Sequence, residues 1–355
     1  MSLLVLSAAD VERATASMSP NELQILMASV FRTLSRGDRW LSSTPHRTSI
    51  SMSQHTALFM PARIATDALT GTTVKVVSVP SSPGDTRGLP GSTLVLDEDT
   101  GAVKAIVNSR SLTALRNAAG SLLSSRIVGI DEPTAITTFG SGKQIEAHLH
   151  LFLRAYPSVS RCSIVNRSAN ERLTKLADAL RTAFPHVTVE TFSTSAPAQA
   201  GERVEAAVRS ADIVICATSS TAPLCPSSWV QPGAHVVLIG SYKPHMKEVD
   251  SELVHRALAG ALIVDSRDAC AQEAGELLEA KVDMAAVHEI GELVEVDGEG
   301  NLKTTLPKLQ TKEQEGGVTM FKSVGVGLQD VAIACAAVDK ARAMGLGTTV
   351  EGYDS

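Results

Sequence analysis

The fold is decided by the stretch Thr138-Phe139-Gly140-Ser141-Gly142-Lys143-Gln144-Ile145, which joins an apolar strand-like segment (135–139) to a helix-like one (146–154). Between a strand and a helix, two glycines permit a tight turn and let the backbone approach a pyrophosphate, whose charge the helix N-terminus stabilises. Ile145 stands where glycine or alanine is usual, so the helix must pack on the strand through a larger side chain. The pattern indicates dinucleotide binding, and an ordinary turn is the alternative. The predicted cofactor contacts in this loop are Gly140, Ser141, Gly142, Lys143 and Gln144.

The chain after residue 133 alternates between short apolar strands and amphipathic helices. Strands are predicted over residues 135–139, 161–165, 187–192, 212–217, 235–239 and 261–264, with helices between them, notably over 169–183 and 201–209. Such alternation is typical of a doubly wound parallel sheet. The first 125 residues mix helix and strand instead, and another helix is predicted over 329–344. The expected fold is therefore α/β: a Rossmann-type doubly wound parallel sheet plus an α+β domain.

The residues after the second strand of this alternation, Asn166-Arg167-Ser168, indicate which dinucleotide is bound. An NAD site usually has Asp or Glu there, and its carboxylate accepts a hydrogen bond from the ribose 2′-hydroxyl. Here that carboxylate is missing. Arg167 can make forked hydrogen bonds to a 2′-phosphate, and Ser168 can add another. The sequence therefore predicts NADP(H); the alternative makes Arg167 a surface arginine and Ser168 a helix N-cap.

A further strand, predicted over residues 212–217, ends in the small hydroxyl residues Thr218 and Ser219. The carboxyl ends of strands in such sheets line the ligand crevice. Thr218 and Ser219 are therefore predicted neighbours of the cofactor, although a polar strand end without a ligand is an equally good interpretation of the spacing.

Composition excludes several classes of function. The net charge of −6 and the 3% aromatic content argue against a nucleic-acid binder, which needs a basic face and stacking side chains. No apolar run approaches the roughly 18 residues of a membrane-spanning helix. The apolar start lacks basic residues and is a poor signal peptide, so a cytoplasmic protein is expected. The five cysteines include no C-x-x-C pair, so neither a zinc site nor a disulfide framework is predicted.

Several segments together resemble the ornithine cyclodeaminase/mu-crystallin family, in the family's order and over nearly the whole chain. The matching segments are His46-Arg47, Val74-Lys75-Val76, residues 112–119, the loop from Gly140 to Gln144, Asn166-Arg167-Ser168, and residues 211–223, 239–250 and 319–325. The resemblance implies a substrate-binding and dimerisation domain formed by residues 1–128 together with 319–355, and an NADP-binding Rossmann domain formed by residues 129–318. It also implies a homodimer.

The resemblance further implies that Arg47, Lys75 and Arg116 bind the carboxylate of an amino or imino acid. The chemistry is suitable, because the planar fork of arginine matches a carboxylate and lysine adds a point charge. Lys75 lies within an apolar strand, where a solvated lysine would be unusual. From the residues alone, Arg47 and Arg116 would be surface or salt-bridge residues. The nicotinamide is expected near residues 321–325, which places Ser323 and Val324 among the cofactor contacts.

The run Gly240-Ser241-Tyr242-Lys243-Pro244-His245 departs from the cyclodeaminases of the family, which resemble G-x-D-x-P-G-K here. Tyr242 replaces the aspartate that handles the amine during ammonia loss, so the carboxylate for acid–base work is absent. The ketimine reductase-like branch has a non-acidic residue at this point. The resemblance therefore implies an NADPH-dependent reductase of small cyclic imino acids, with products of the L-proline or L-pipecolate type. Lys75 or Tyr242 is the expected catalytic source of a proton or hydrogen bond.

Three other functions remain open from the sequence. They are a cyclodeaminase-type lyase acting on ornithine or lysine, an amino-acid dehydrogenase that reductively aminates a 2-keto acid, and a non-catalytic NADP(H)-dependent binding protein. Asn117, in a place where threonine is usual, leaves the choice of substrate open.

Two further polar features have a structural interpretation. Asp330, close to the expected nicotinamide segment, could cap a helix or orient the active site, and the structural role is the favoured interpretation. His148 and His150 are two residues apart, which on a helix directs their side chains to different faces, so no metal site is expected.

Overall fold

The glycine-rich turn at Gly140 belongs to the second of two structural units that the chain forms. Unit 1 comprises Met1–Arg116 and Gly325–Ser355, and unit 2 comprises Asn117–Val324. The structure, a computed structural model, describes residues 2–38, 40–81, 89–195, 199–297, 301–304 and 316–353.

The helices and strands follow one another along the chain. From the N-terminus they are β1 (Leu3–Leu6), α1 (Ala8–Ala16), α2 (Pro20–Arg36), β2 (Ser42–Ser43), β3 (Thr48–Ser51), β4 (His55–Ala65), β5 (Thr70–Pro80), β6 (Gly91–Leu96), β7 (Val103–Asn108) and α3 (Arg110–Ile127). Next come β8 (Ala135–Phe139), α4 (Lys143–Ala155), β9 (Arg161–Asn166), α5 (Glu171–Ala183), β10 (Thr188–Ser193), α6 (Gln199–Arg209), β11 (Ile213–Cys216), β12 (His235–Leu238), α7 (Ser251–Ala259), β13 (Ala261–Val264), α8 (Arg267–Glu273), α9 (Gly275–Glu279), β14 (His288–Glu289), β15 (Val294–Val296) and β16 (Leu302–Thr304). The last are β17 (Thr319–Lys322), α10 (Gly327–Ala343) and β18 (Thr348–Val350), and short 3₁₀ turns cover Ser227–Trp229, Met284–Ala286 and Ile290–Glu292.

Unit 1 is built on a mixed sheet covered by helices. The strand order is β18-β1-β7-β6-β5-β4-β2, with β3 also paired to β4, and β1 and β7 form its parallel pair. Helix α10 packs across β4, β5 and β6, and α1 and α2 pack against α10. Helix α2 shows why these segments are helical: Ser19 and Glu22 form a reciprocal capping box, and Leu23, Met27 and Phe31, four residues apart, are all buried. This layer buries one face of β5, the strand that contains Lys75.

Unit 2 contains an eight-stranded parallel sheet in the order β10-β9-β8-β11-β12-β17-β13-β14. Every residue of β11, β12 and β13 is buried, as expected when helices cover both faces of a parallel sheet. The chain runs outward from β8 to β10 and then returns to β11, so the strand order reverses between β8 and β11. Ligands bind at the carboxyl ends of strands at such a reversal. The predicted α/β fold class is confirmed.

The six strands predicted from the alternation are all present as β8 to β13, and the predicted helices over 169–183 and 201–209 are α5 and α6. The sequence places the domain boundaries at 128/129, just after α3, and at 318/319, just before β17. The boundaries of the two units fall inside α3 and after β17, because β17 hydrogen-bonds to β12 and β13 in the unit 2 sheet.

Three properties of the described ranges bear on function. No helix in them is both long and apolar enough to cross a membrane, and no group of three His, Cys, Asp or Glu side chains in them could hold a metal ion. The five cysteines are buried free thiols. Burial raises the pKa of the Cys162 thiol to about 12, so this cysteine is unreactive at neutral pH.

Candidate functional site

Three buried charged side chains meet in unit 1 and form what we call the Lys75–Arg116–Asp330 cluster. Lys75 comes from β5, Arg116 from α3 and Asp330 from α10. The Lys75 Nζ atom lies 3.1 Å from each carboxylate oxygen of Asp330, and the Arg116 Nε atom lies 3.2 Å from Asp330 Oδ1. No more than 4% of any of the three residues is exposed. The structure thus brings together two of the three residues predicted to bind a carboxylate, and adds an acidic partner.

Neighbouring residues fix the Arg116 side chain in this cluster. Gln329 Oε1 accepts a hydrogen bond from Arg116 Nη1 at 2.8 Å, and Gln329 Nε2 donates to the Arg116 carbonyl oxygen at 3.3 Å. Gly325 has φ +86°, and a Cβ atom there would lie 2.7 Å from Arg116 Nη1. Glycine is therefore required at 325 both for the backbone conformation and for the close approach of the guanidinium.

The predicted structural role of Asp330 as a helix cap is wrong. The N-cap residue of α10 is Val326, and Gln329 rather than Asp330 hydrogen-bonds to its backbone N–H, at 3.2 Å. The Asp330 side chain instead reaches the two cations of β5 and α3. An acidic residue in the first turn of a helix is common, so the sequence offered no sign of this long-range contact.

The charges in the cluster do not balance, because two cations face one carboxylate. Burial alone would raise the pKa of Asp330, but the charges of Lys75 and Arg116 outweigh burial and lower it, so Asp330 is ionised. Burial lowers the pKa of Lys75, and the charge of Asp330 offsets only part of that effect. With Lys75 protonated, the cluster has an excess of one positive charge in a buried place, which suits one incoming anion.

Hydroxyl groups without partners lie on the same face of the sheet. Thr93 pairs directly with Lys75 across β5 and β6, so the two side chains lie side by side, roughly 5 Å apart at Cβ. The hydroxyl oxygens of Thr73, Thr93 and Ser109 are buried and have no hydrogen-bond partner among the described residues. Buried polar atoms are usually satisfied, so these hydroxyls are unused hydrogen-bonding groups on the face of the sheet that contains Lys75.

Arg47 lies at the surface, in the loop before β3. Thr48 pairs with Phe59, and Met60 pairs with Lys75, so continuing the register by one residue places Arg47 opposite Met60. Arg47 is therefore two strands from Lys75, roughly 10 Å at the backbone, on the same side of the sheet. Its predicted role in carboxylate binding remains a prediction.

The glycine loop of unit 2 has the geometry that a phosphate needs. Gly140 has φ +112°, and a Cβ atom there would lie 2.9 Å from the carbonyl oxygen of Ala217, so glycine is required. Gly142 is the N-cap residue of α4, has no side-chain cap, and would place a Cβ atom in open space. The first N–H groups of α4 are thus accessible to an anion. Ile145 is fully buried and packs against Gly140, so the larger third residue is accommodated.

The end of β9 presents basic and hydroxyl groups. Arg167 and Ser168 are exposed, and Asn166 Nδ2 donates to the Ser168 carbonyl oxygen at 2.7 Å. The alternative interpretation of Ser168 as a helix cap is wrong, because Asn170 caps α5 by accepting from the Leu173 N–H at 3.0 Å. The Ser168 Oγ atom lies 3.5 Å from the Nδ2 atom of Asn170, so the hydroxyl lies beside the start of the helix without capping it.

A cavity of about 450 Å³ adjoins the glycine loop and the start of α5. Among the charged residues that line it, Lys143 pairs with Glu146 and Lys175 pairs with Glu171. Arg172, by contrast, donates from Nε to Ser141 Oγ at 3.3 Å and has no carboxylate partner among the described residues. The cavity therefore has an uncompensated guanidinium next to the loop, a feature that the sequence motif did not indicate.

Glu248 connects the ends of β11 and β12 and was not identified from the sequence. Its Oε1 atom accepts from the Thr218 N–H at 2.6 Å and from Thr218 Oγ1 at 2.8 Å, while Oε2 accepts from the Gly240 N–H at 2.7 Å. Glu248 is fully buried, and burial raises its pKa to about 7 although the Lys322 charge and the donors oppose the shift. This carboxyl group fixes the predicted cofactor neighbour Thr218, whereas Ser219 follows it in the exposed turn.

A second buried polar group lies at the ends of β12 and β17. Lys322 Nζ lies 3.0 Å from Glu276 Oε1 and donates to Ser241 Oγ at 2.9 Å. Ser323, predicted beside the nicotinamide, donates to Asp265 Oδ2 at 2.7 Å. Val324 follows it and is partly buried. The sequence signal for this group is Lys322, a lysine at the end of an apolar strand.

Tyr242, the second predicted catalytic residue, lies in the turn after β12. Its ring is partly buried, and Lys243 Nζ lies 5.7 Å above the ring centroid. This cation–π contact keeps a positive charge beside the phenol.

Comparison with known proteins identifies relatives over most of the chain. The sequence profile of the ornithine cyclodeaminase/mu-crystallin family matches residues 1–345. The chain is 27% identical over 339 residues to the ketimine reductase mu-crystallin of Mus musculus. The alignment covers 91% of this chain and 96% of that protein. It is 30% identical over 253 residues to a Delta(1)-pyrroline-2-carboxylate reductase of Paracoccus denitrificans, covering 70% of this chain and 73% of that protein.

A solved structure shows the same fold. The Delta(1)-pyrroline-2-carboxylate reductase of Thermococcus litoralis, in complex with NADH and L-proline, superposes with a TM-score of 0.78 at 24% identity, over 98% of this chain and 100% of that one.

Replacing Glu248 by glutamine tests whether this carboxyl group fixes the strand ends. In this variant an amide NH₂ group replaces one carboxylate oxygen. It would face a backbone N–H group that donates to Glu248 in the wild type, so buried donors would be left unpaired. We expect a loss of about 1–3 kcal/mol in the free energy of unfolding, measured by chemical denaturation, and weaker dinucleotide binding, measured by fluorescence titration. The control is Glu252→Gln, on the exposed side of α7, which should change stability by less than about 0.5 kcal/mol. Equal behaviour of the two variants would contradict this role.

Proposed function

The chain belongs to the ornithine cyclodeaminase/mu-crystallin family, and on that basis we propose that it is an NADPH-dependent reductase of small cyclic imino acids. The substrates would be of the 1-pyrroline-2-carboxylate or 1-piperideine-2-carboxylate type, and the products of the L-proline or L-pipecolate type. The observation that carries the proposal is the Lys75–Arg116–Asp330 cluster, with its buried excess of positive charge. The relatives named as ketimine reductase and pyrroline-2-carboxylate reductase support the choice of substrate class.

Unit 1 binds the substrate in this proposal. An α-carboxylate brings the one negative charge that the cluster lacks, and its two oxygens match a guanidinium and an ammonium. Lys75 and Arg116 therefore bind the carboxylate. The unpartnered Thr93 hydroxyl beside Lys75 is a further donor for it. Arg47, at the surface in the loop before β3, completes the predicted substrate contacts.

Unit 2 binds the dinucleotide. The uncapped N-terminus of α4, with Gly140 and Gly142, fits a pyrophosphate, and the residues from Ser141 to Gln144 surround it. A 2′-phosphate would be bound by Arg167 and Ser168, with Asn166 beside them. Arg172, whose charge has no carboxylate partner among the described residues, adds to the positive potential on that side of the loop. The cofactor specificity proposed is therefore NADP(H) rather than NAD(H).

The reaction adds a hydride to the C=N carbon and a proton to the nitrogen. Reduced dinucleotide, when bound, supplies the hydride. This chain's part is to orient the imine by its carboxylate and to control the proton, since positioning and electrostatics are what a protein adds to cofactor chemistry. Lys75 is proposed to hold the proton at Nζ, and the Tyr242 phenol is the second candidate. A substrate that enters as the iminium already has the proton.

A homodimer formed through unit 1 is also proposed. Large apolar side chains exposed on the described surface are concentrated in this unit; they include Trp40, Ile50, Met52 and Leu89. Such side chains favour association with another protein surface.

The direct test is a substrate panel with the purified protein. NADPH oxidation, followed by absorbance, should be rapid with 1-piperideine-2-carboxylate or 1-pyrroline-2-carboxylate and slow with pyruvate plus an amine. Ornithine plus NAD with ammonia detection tests the lyase alternative. Ammonia release from ornithine without imine reduction would replace the proposal by that alternative, and dinucleotide binding without any turnover would favour a binding protein.

Substituting Lys75 or Arg116 tests the carboxylate site. Lys75→Met and Arg116→Lys should each raise KM and lower kcat/KM about 10- to 150-fold, which corresponds to the roughly 1.5–3 kcal/mol of a charge-assisted hydrogen bond. Lys104→Met is a matched control, because Lys104 lies in β7 of the same sheet and outside the cluster. Steady-state kinetics with the imine give the values. Full activity in both variants would exclude this site.

Cofactor specificity can be tested at Arg167. Arg167→Ala should weaken NADPH binding about tenfold or more and leave NADH binding nearly unchanged, because only NADPH has the 2′-phosphate. The control is Arg161→Ala, which removes an exposed arginine at the opposite end of β9. Isothermal titration with both dinucleotides measures the two affinities. A parallel loss of both affinities, or none, would argue against a 2′-phosphate contact.

A further inference from the structure

Asp330 binds both predicted substrate-binding cations of unit 1 through a single carboxylate. Both of its oxygens lie 3.1 Å from Lys75 Nζ, and Oδ1 also lies 3.2 Å from Arg116 Nε. Three separate elements therefore meet at one buried carboxylate. The bond to Nε and the Gln329 bond to Nη1 fix the plane of the guanidinium.

We propose that Asp330 is a positioning residue: it holds the Lys75 ammonium beside the Arg116 guanidinium and keeps Lys75 protonated, so that the two cations bind the substrate carboxylate as one unit. The proposal rests on the proposed function where it concerns turnover, but the binding of a carboxylate that does not react tests it independently.

Removing the negative charge of Asp330 would leave the Lys75 and Arg116 charges together without an anion in the cluster. Two like charges buried together repel each other strongly, because little water is present to screen them. Burial and the charge of Arg116 both lower the pKa of Lys75, and Asp330 opposes them by its charge and its hydrogen bonds. If Asp330 becomes neutral, the pKa of Lys75 falls further. A property that needs protonated Lys75 would then be lost at a lower pH.

The other charged groups on the packed elements do not take over this role. The charges that act on Lys75 and Asp330 are those of the cluster itself. Arg63 of β4 pairs with Glu98, Glu22 of α2 pairs with Lys340 of α10, and Asp10 pairs with Arg13 within α1. The remaining titratable or charged residues on these elements, on β7 and on α3 are Glu12, Arg32, Arg36, His55, Lys104, Arg110, Arg126, Cys335, Asp339 and Arg342.

The test uses Asp330→Asn and Asp330→Glu, with Asp339→Asn as the control on the exposed side of the same helix. Two quantities are measured between pH 6 and roughly pH 11: kcat/KM for the cyclic imine with NADPH, and the affinity for pyrrole-2-carboxylate, a planar carboxylate that cannot be reduced as an imine. In the wild type, both should fall as the pH rises through the pKa of Lys75. In Asp330→Asn, the alkaline limb of both profiles should move about 1–3 units to lower pH, the usual effect of a neighbouring opposite charge.

Asp330→Glu should return the limb towards its wild-type position, and Asp339→Asn should not move it. A uniform loss of activity in Asp330→Asn with an unmoved limb would show a merely structural role and overturn the proposal. If Asp330→Asn does not fold, Lys75→Arg decides, because its guanidinium stays protonated: the alkaline limb of the pyrrole-2-carboxylate affinity should disappear, and its persistence would overturn the proposal.

Probe binding and imine turnover together distinguish a failure of the Asp330 role from a failure of the proposed reductase function. Probe binding with the expected shift, but no turnover of any imine, would support the role of Asp330 and contradict the reductase proposal. Imine reduction with an unmoved alkaline limb in Asp330→Asn would support the reductase proposal and contradict the role of Asp330.

Discussion

The buried contact of the Asp330 carboxylate with Lys75 and Arg116 is the interaction on which the proposed substrate site depends. Two cations cannot be buried together without an anion nearby, since removing charges from water is costly unless they are paired. The contact joins β5, α3 and α10, which are far apart in the sequence. Because one carboxylate offsets only one of the two charges, the cluster keeps the positive charge that is proposed to attract the substrate carboxylate.

Unit 2 meets a different constraint, which is to hold the carboxyl ends of parallel strands in a fixed arrangement around a ligand. Gly140 allows the first turn to approach Ala217, and Glu248 connects the turns after β11 and β12 through three hydrogen bonds. Lys322, Glu276 and Ser241 connect β12 to β17. These buried polar contacts fix the segments that follow β11 and β12 and the end of β17 relative to one another.

The fold class and some members of the candidate site could be predicted from the sequence, because strand–helix alternation and the glycine loop are local patterns. Strand β4 was not predicted, since Pro61 and the polar residues His55, Thr56 and Arg63 obscure its alternation. Lys75 could be identified as an unusual lysine in an apolar strand, and Arg116 through the family resemblance. Asp330, Glu248 and Arg172 could not be assigned, because their roles depend on contacts between distant segments that no local pattern records. The predicted capping role of Asp330 is wrong for the same reason.

The central claim is that Lys75 and Arg116 bind the substrate carboxylate while Asp330 stays in contact with them. A crystal structure of the protein with NADP⁺ and L-pipecolate tests this most directly. We expect both oxygens of the ligand carboxylate within hydrogen-bonding distance of Lys75 Nζ and the Arg116 guanidinium, with Asp330 still paired to Lys75. A ligand carboxylate bound elsewhere, with Lys75 and Arg116 in contact only with Asp330, would contradict it.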